Sequence, residues 1–142
     1  MILCDVNILL QALREISPDH STYHVWLTEQ INSDRAFGVS PLVLSSVVRI
    51  ATNRRVFSPP TPLATALAYC DQLRNLPQAA VVREGPRHWE IFTGLCRKVE
   101  AKGNLVPDAY LAALAIEHGC EWISTDRDFA RFPGLRWRHP LD

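Results

Sequence analysis

Four aspartates stand where the side chains of an α/β protein could reach a common point. Asp5 ends an apolar run, Asp126 and Asp128 follow a later apolar run, and Asp108 opens the alanine-rich stretch between them. Carboxylates that converge repel one another unless a cation neutralises them. Mg²⁺ prefers oxygen ligands and needs only one or two protein carboxylates, because water and substrate phosphate complete its shell. The pattern is therefore consistent with a site for a hard divalent cation.

Each aspartate also has a purely structural interpretation. Asp108 lies in the first turn of a predicted helix, where the helix dipole favours acids. Asp126 and Asp128 are placed to cap the short turn at residues 127–129. Asp5 is harder to explain in this way, because an acid that ends a buried strand is costly without a partner. The pattern alone leaves both interpretations of these residues open.

Apolar runs typical of buried strands alternate with stretches of helical periodicity along the whole chain. The predicted strands are residues 1–6, 36–39, 79–82 and 121–124, and a final edge strand in which Leu135 and Trp137 alternate with Arg136 and Arg138. This alternation predicts a three-layer α/β/α fold with a mostly parallel central sheet of about five strands. Ligands of such sheets bind beyond the carboxyl ends of the strands, where Asp5 and Asp126 are expected.

The predicted helices connect these strands. They are residues 7–15, a helix that starts near 17–19 and contains 23–31, residues 41–51, a helix capped by Thr61 with Pro62 at its first position, a helix from Pro86 to Gly103 with Trp89, Phe92, Cys96 and Val99 on one face, and residues 107–118 closed by Gly119. Proline in the first turn and glycine after the last are the expected helix boundaries.

Composition indicates one ordinary globular domain, predicted to span residues 1–142, with 47% hydrophobic and 21% charged residues. No apolar run approaches the roughly 18 residues of a membrane span. Asp5 interrupts the first apolar run and no basic region precedes it, which argues against a signal peptide. The cysteines lack metal-ligand spacing, which predicts free buried thiols in a reducing compartment, the cytoplasm; they are Cys4, Cys70, Cys96 and Cys120.

Three segments resemble motifs of the PIN-domain family, in the family's order. Residues 1–9 (MILCDVNIL) resemble its opening strand, which ends in Asp with a small polar residue two places later. Residues 103–115 (GNLVPDAYLAALA) resemble the segment with its third acid, and residues 123–129 (ISTDRDF) the segment with its fourth. Residues 49–53 (RIATN) and 132–135 (FPGL) are similar to a bacterial branch, the VapC-type toxins. The resemblance covers nearly the whole chain.

The resemblance implies an endoribonuclease toxin that hydrolyses RNA with a water activated by Mg²⁺, or by Mn²⁺ in its place, and leaves 5′-phosphate and 3′-hydroxyl ends. It implies that Asp5, Asp108 and Asp126 bind the metal and that Asp128 is an auxiliary catalytic acid. Asn7 and Thr125 would then orient the carboxylates. Because the acids repel RNA, flanking cations must guide its backbone. The candidates are Arg49, Arg54, Arg55, Arg127 and Arg131.

The resemblance also implies partners. A toxin of this type is expected to bind a cognate VapB-type antitoxin that blocks the acidic site, and to form a homodimer with no membrane association. The apolar positions of the two predicted helices at residues 7–15 and 23–31 offer a groove for the antitoxin. They are equally consistent with ordinary core packing.

One position departs from the family pattern. PIN nucleases carry a further acid on the helix after the second strand, and here Ser46 stands near that position. Glu84 and Glu90 are substitutes by residue type, but neither lies in a matching motif. The departure leaves the number of metal ions open, and it leaves a catalytically degenerate PIN domain that binds RNA or protein as the alternative.

Other classes of function fit the sequence less well. A metal-free ribonuclease needs two histidines as acid and base, and only His20 and His24 are spaced to share a helix face. Haloacid-dehalogenase-like phosphatases have Asp-x-Asp after the first strand, whereas residues 5–7 read DVN. Response-regulator receivers have an Asp after the third strand, whereas residues 83–85 read REG. A pure interaction module remains the non-enzymatic possibility.

Overall fold

The computed structural model describes all 142 residues as six α-helices around one five-stranded sheet. The elements are β1 (Ile2–Cys4), α1 (Val6–Leu13), α2 (His20–Ile31), β2 (Phe37–Val39), α3 (Pro41–Ala51), α4 (Leu63–Arg74), β3 (Ala79–Val81), α5 (His88–Val99), α6 (Leu105–Glu117), β4 (Glu121–Ile123), a 3₁₀ helix (Arg127–Arg131) and β5 (Arg136–Arg138). No helix is long and apolar enough to cross a lipid bilayer.

The sheet has the strand order β3-β2-β1-β4-β5, and all four strand pairs are parallel. The predicted α/β fold is confirmed, although the sheet is entirely parallel instead of mostly so. The chain steps from β1 through β2 to β3 and then returns to β4 on the other side of β1. Because such crossovers are right-handed, α1–α4 cover one face and α5–α6 the other. The strand order reverses between β1 and β4, and open α/β sheets bind their ligands at such a point.

Burial on both faces explains why the central strands read as continuous apolar runs. In β1, Ile2 and Leu3 are each 1% exposed, and in β4 Trp122 is fully buried. Helix α6 lies close to the sheet because the alanines on its inner side are small; Ala109, Ala112, Ala113 and Ala115 are fully buried. All four cysteines are free, and three are buried as predicted, whereas Cys96 is half-buried.

Helix α6 begins two residues earlier than predicted and ends at Glu117, one residue before the predicted end. It starts at Leu105, so Pro107 falls within the first turn and not at its first position. A proline is tolerated there because the first turn has no helical partner for its missing N–H group. Gly119 follows the helix with a φ of 65°, which is the left-handed conformation that favours glycine after a helix.

The predicted boundaries of α5 were wrong at both ends. The helix starts at His88 and ends at Val99, short of Gly103, because Glu100 adopts the left-handed conformation with a φ of 52°. Trp89 is 68% exposed, so it does not belong to the buried face that was predicted to include it. Glutamate is not a residue type that usually ends a helix, so the boundary at Glu100 was not predicted.

The prediction that Thr61 caps α4 was also wrong. Pro62 occupies the cap position, and no side chain caps this helix. The Thr61 hydroxyl instead accepts a hydrogen bond from Arg14 at 2.9 Å, and Arg14 also donates to the Pro59 carbonyl at 3.2 Å. The guanidinium lies 3.7 Å from the centre of the Phe57 ring. Buried Arg14 therefore ties the segment before α4 to the end of α1.

Candidate active site

The carboxyl ends of β1 and β4 bring two distant parts of the chain together. Cys4 pairs with Ile123 in the parallel register, and the Asp5 N–H donates to the Ile123 carbonyl at 2.8 Å. Asp5 and Ser124 are the next residues of their strands. They therefore leave the sheet side by side, at the point where the strand order reverses.

Asp5 is buried, with 8% of its surface exposed, and it is well supplied with hydrogen bonds. One carboxylate oxygen accepts from the Val6 N–H at 2.7 Å and caps α1. The other accepts from the Ser124 hydroxyl at 2.7 Å and from the Asn7 amide at 3.2 Å. Burial nevertheless raises the pKa of Asp5, and the charge of Asp126 adds to the effect although the hydrogen bonds oppose it. Asp5 thus has a structural role as well as an incompletely neutralised charge.

Ser124 is a residue of this site that the sequence analysis missed. It is fully buried, and its hydroxyl donates to Asp5 while it accepts from the Asn7 amide at 3.2 Å and from the Asp126 N–H at 3.0 Å. The Thr125 hydroxyl makes no hydrogen bond within the chain; only its backbone N–H donates, to Asn7 at 3.4 Å. No local sequence signal marks Ser124, because its place beside Asp5 depends on the parallel pairing of β1 with β4.

The other three aspartates lie around Asp5. Asp126 caps the 3₁₀ helix by accepting from the Asp128 N–H at 2.9 Å, and this confirms the structural role considered for it. Asp108 lies in the first turn of α6, also as expected. Burial raises the pKa of Asp108 to about 6, and Asp126, Asp5 and Asp128 contribute to the rise in that order. The predicted aspartates are therefore near enough to repel one another.

The aspartate cluster has no cationic partner. No basic side chain lies within 4.0 Å of any of the four carboxylates, since the ion pairs of the protein all involve other acids. The side chains also do not form a closed cage, because no three acidic, histidine or cysteine side chains are gathered as a ready metal site. The donor set is nevertheless suited to a hard divalent cation, which requires only one or two protein carboxylates.

A neutral side chain, Ser46, stands near the position where the family's further acid is expected on the helix after the second strand. The Ser46 hydroxyl donates to the Leu42 carbonyl at 3.0 Å, within its own helix. Neither Glu84 nor Glu90 is among the charges that raise the pKa of Asp108. Glu84 instead faces the Tyr110 hydroxyl, whose pKa it raises after the larger effect of burial. Neither glutamate therefore acts as a substitute within this cluster.

The candidate RNA-binding arginines fall into two groups. Arg127 and Arg131 begin and end the 3₁₀ helix that follows Asp126, and both are exposed. Helix α3 starts beside the site and runs away from it for 11 residues, which is about 16 Å. Arg49 in its last turn, and Arg54 and Arg55 beyond it, therefore lie toward the opposite end of the domain. Only an RNA that extends across the domain could contact both groups.

The histidines are not placed for acid–base chemistry with the aspartates. His20 begins α2, at the opposite end of α1 from Asp5, and its Nδ1 lies 3.0 Å from the Gln11 carbonyl oxygen. It stacks on His24 with ring centroids 5.1 Å apart. His88 is buried against Phe92. The pair considered for a metal-free ribonuclease is thus remote from the carboxylates.

Residues 2–135 match the PIN domain family, and the chain belongs to this family. Within the family, the curated proteins that are similar to this chain over its full length are VapC ribonucleases. Ribonuclease VapC43 of Mycobacterium tuberculosis is 44% identical over 142 residues, which covers 100% of this chain and 97% of the relative. Ribonuclease VapC25 of the same organism is 42% identical over 140 residues, or 99% of each chain. Among solved structures, VapBC2 from Rickettsia felis bound to a promoter DNA fragment has a TM-score of 0.72 at 17% identity and 98% coverage of both chains, a likeness of fold.

Proposed function

We propose that this protein is a metal-dependent endoribonuclease toxin of a type II toxin–antitoxin module. The observation that carries the proposal is the cluster of Asp5, Asp108 and Asp126 at the reversal of the strand order, with no basic partner. The cost of holding these charges together is offset when a divalent cation binds. The full-length similarity to VapC ribonucleases supports RNA as the substrate.

The site residues then have distinct roles. Asp5, Asp108 and Asp126 would hold Mg²⁺ or Mn²⁺, and exposed Asp128 would be an auxiliary acid. Ser124 and Asn7 fix the orientation of the Asp5 carboxylate by hydrogen bonds. Bound there, a divalent cation would lower the pKa of a water molecule and stabilise charge on the attacked phosphate. Arg127 and Arg131 guide the RNA backbone past the acids, since both are exposed at the adjacent 3₁₀ helix.

We expect the purified protein to cleave structured RNA with Mg²⁺ or Mn²⁺, to stop in excess EDTA, and to recover when metal is restored. The cleaved ends should carry 5′-phosphate and 3′-hydroxyl groups, measured by end labelling and mapping in total RNA. Full activity in excess chelator, or cyclic phosphate ends, would contradict the proposed chemistry. RNA binding without any cleavage at all metal concentrations would favour the catalytically degenerate module instead.

The expected partner is a small VapB-type antitoxin. Helices α1, α2 and α4 enclose a groove of about 300 Å³, lined largely by apolar side chains that include Leu13, Leu27 and Leu76. Structural neighbours include a toxin–antitoxin complex from Klebsiella pneumoniae, with a TM-score of 0.60. We propose that an apolar antitoxin segment lies in this groove.

Two further expectations concern the compartment and the oligomeric state. The four free cysteines fit a reducing cytoplasm. The family also implies a homodimer, which light scattering of the purified protein will test.

The groove can be tested with a matched pair of variants. Gln72 is exposed and lines the groove, whereas its neighbour Asp71 is exposed and does not. Gln72→Trp should weaken binding of the antitoxin by at least about tenfold, the size of an interface hot-spot change. Asp71→Trp should leave binding unchanged, and both variants should cleave RNA normally. The partner is the small protein encoded beside this one; if it neither co-purifies nor restores growth, the toxin assignment fails.

A further inference from the structure

A second groove, which we call the Ser46 groove, lies beside the aspartates and has no role in the proposed metal chemistry. It has a volume of about 360 Å³, and six of the residues that define it are Val6, Leu42, Ser46, Phe92, Pro107 and Tyr110. They come from α1, α3, α5 and α6. The α1, α3 and α6 residues lie in the first two turns of their helices, so the groove opens at the carboxyl edge of the sheet.

The Ser46 groove is continuous with the aspartate cluster along the chain. Val6 follows Asp5 and donates its N–H to that carboxylate at 2.7 Å. Pro107, on another wall, precedes Asp108. A phosphate brought to the proposed metal site would therefore lie against the mouth of the groove. The base of an adjoining nucleotide is the part of the RNA within reach of its interior.

The lining of the groove suits a flat, neutral, largely apolar group. None of its lining residues is charged. The rings of Phe92 and Tyr110 meet at 69° with centroids 5.3 Å apart and give it aromatic walls. Unpaired bases bind proteins by stacking on such rings. The Ser46 hydroxyl uses its proton on the Leu42 carbonyl, so its lone pairs remain free to accept from a base edge.

The serine is central to this chemistry, because it stands near the position where PIN nucleases carry an acid. A glutamate at Ser46 would place a negative charge and a longer side chain in the groove. With serine, none of the residues that line the groove carries a carboxylate. Glu84 faces one of them, Tyr110, but is not itself part of the lining. The lining therefore adds no negative charge of its own to that of the neighbouring aspartates.

We propose that the Ser46 groove is a subsite that binds one unpaired nucleobase of the RNA next to the scissile phosphate. The proposal rests on the proposed ribonuclease function and extends it to recognition of the substrate. The ligand class is a single-stranded purine or pyrimidine nucleotide. RNA in which this base is paired or missing is a poorer substrate.

The test compares Ser46→Leu with Ser45→Leu. Both serines donate to the Leu42 carbonyl, but Ser45 is exposed and does not line the groove. Each substitution is made in the wild type and in an Asp126→Asn background that blocks turnover. The probes are short homopolymeric RNA oligonucleotides of each base and an abasic ribose-phosphate oligomer. Affinity is measured by fluorescence anisotropy, and kcat and KM are measured on the cleavable oligomers.

We expect Ser46→Leu to weaken binding of base-containing oligomers and to raise their KM by about tenfold, as loss of one stacked base would. Binding of the abasic oligomer should be unchanged, and Ser45→Leu should resemble the wild type. If the wild type does not cleave RNA, but Ser46→Leu still loses affinity for base-containing oligomers and not for the abasic one, the proposed function fails and the nucleobase subsite stands. Equal affinity of both variants for base-containing RNA overturns the subsite. The subsite is also overturned if Ser46→Leu, but not Ser45→Leu, loses a dimer while its RNA affinity is unchanged. A second copy of the chain would then occupy the groove.

Discussion

Asp5→Asn should abolish RNA cleavage while the protein remains folded. Asparagine caps helices as well as aspartate does, so the hydrogen bond from the Val6 N–H survives the substitution. The amide has no charge and is a poor ligand for a hard cation. The loss should therefore exceed the roughly 10–100-fold that removal of an outer hydrogen-bond partner costs a metal site. Cleavage assays across Mg²⁺ concentrations measure it, with Asp71→Asn on exposed α4 as the control.

The stability of the metal-free wild-type protein should depend on pH in a defined direction, and this dependence is the reference for Asp5→Asn. The pKa values of Asp5 and Asp108 are raised from the ordinary value of 3.8 in the folded protein. At a pH above 3.8, a larger fraction of each carboxyl group is therefore protonated in the folded state than in the unfolded state. Stability of the metal-free protein therefore falls as pH rises from about 4, through the pKa of Asp108 at about 6, and stays lower above it.

Removing the Asp5 charge should relieve part of this repulsion. The metal-free variant should melt at or above the wild-type temperature at neutral pH, and the gain should disappear in acid. Mg²⁺ should raise the melting temperature of the wild type more than that of the variant. A variant that cleaves normally would remove Asp5 from the active site. A variant that unfolds at neutral pH would show that its hydrogen bonds matter more than its charge.

Ser124→Ala should impair both the site and the fold. The substitution removes the hydroxyl that donates to the buried Asp5 carboxylate and leaves the half-buried Asp126 N–H without its acceptor. We expect a loss of about 1–3 kcal/mol in the free energy of unfolding, the cost of a buried polar group left unpaired. Metal affinity or kcat should fall roughly 10–100-fold, because the Asp5 carboxylate loses its orientation.

The neighbouring threonine is the matched control for Ser124. Thr125→Ala removes a hydroxyl of the same kind that makes no hydrogen bond in the chain, so cleavage and denaturant unfolding should stay close to wild type. The result would also decide between the two residues as the one that orients the carboxylates. A larger effect for Thr125→Ala than for Ser124→Ala would restore the role first predicted for Thr125.

The sequence was sufficient for the fold because its signals are local. β1 and β4 are covered on both faces, so they read as apolar runs, and Asp5 marks the point where such a run ends. The contribution of Ser124 could not be read in this way, because it depends on the register between strands from opposite ends of the chain. Arg14 was missed for the same reason: its partners, Pro59 and Thr61, become neighbours only when α1 and α4 pack together.

The contact between Asp5 and Ser124 determines when the protein can become active during its synthesis. Asp5 and Ser124 are separated by 119 positions in the chain, and the carboxylate of one is held by the hydroxyl of the other. A ribosome therefore releases β1 long before β4. A nascent or prematurely terminated polypeptide therefore carries Asp5 without Ser124 or Asp126 and has no assembled centre. During translation the centre can therefore assemble only after the ribosome has released the chain beyond β4, up to Asp126.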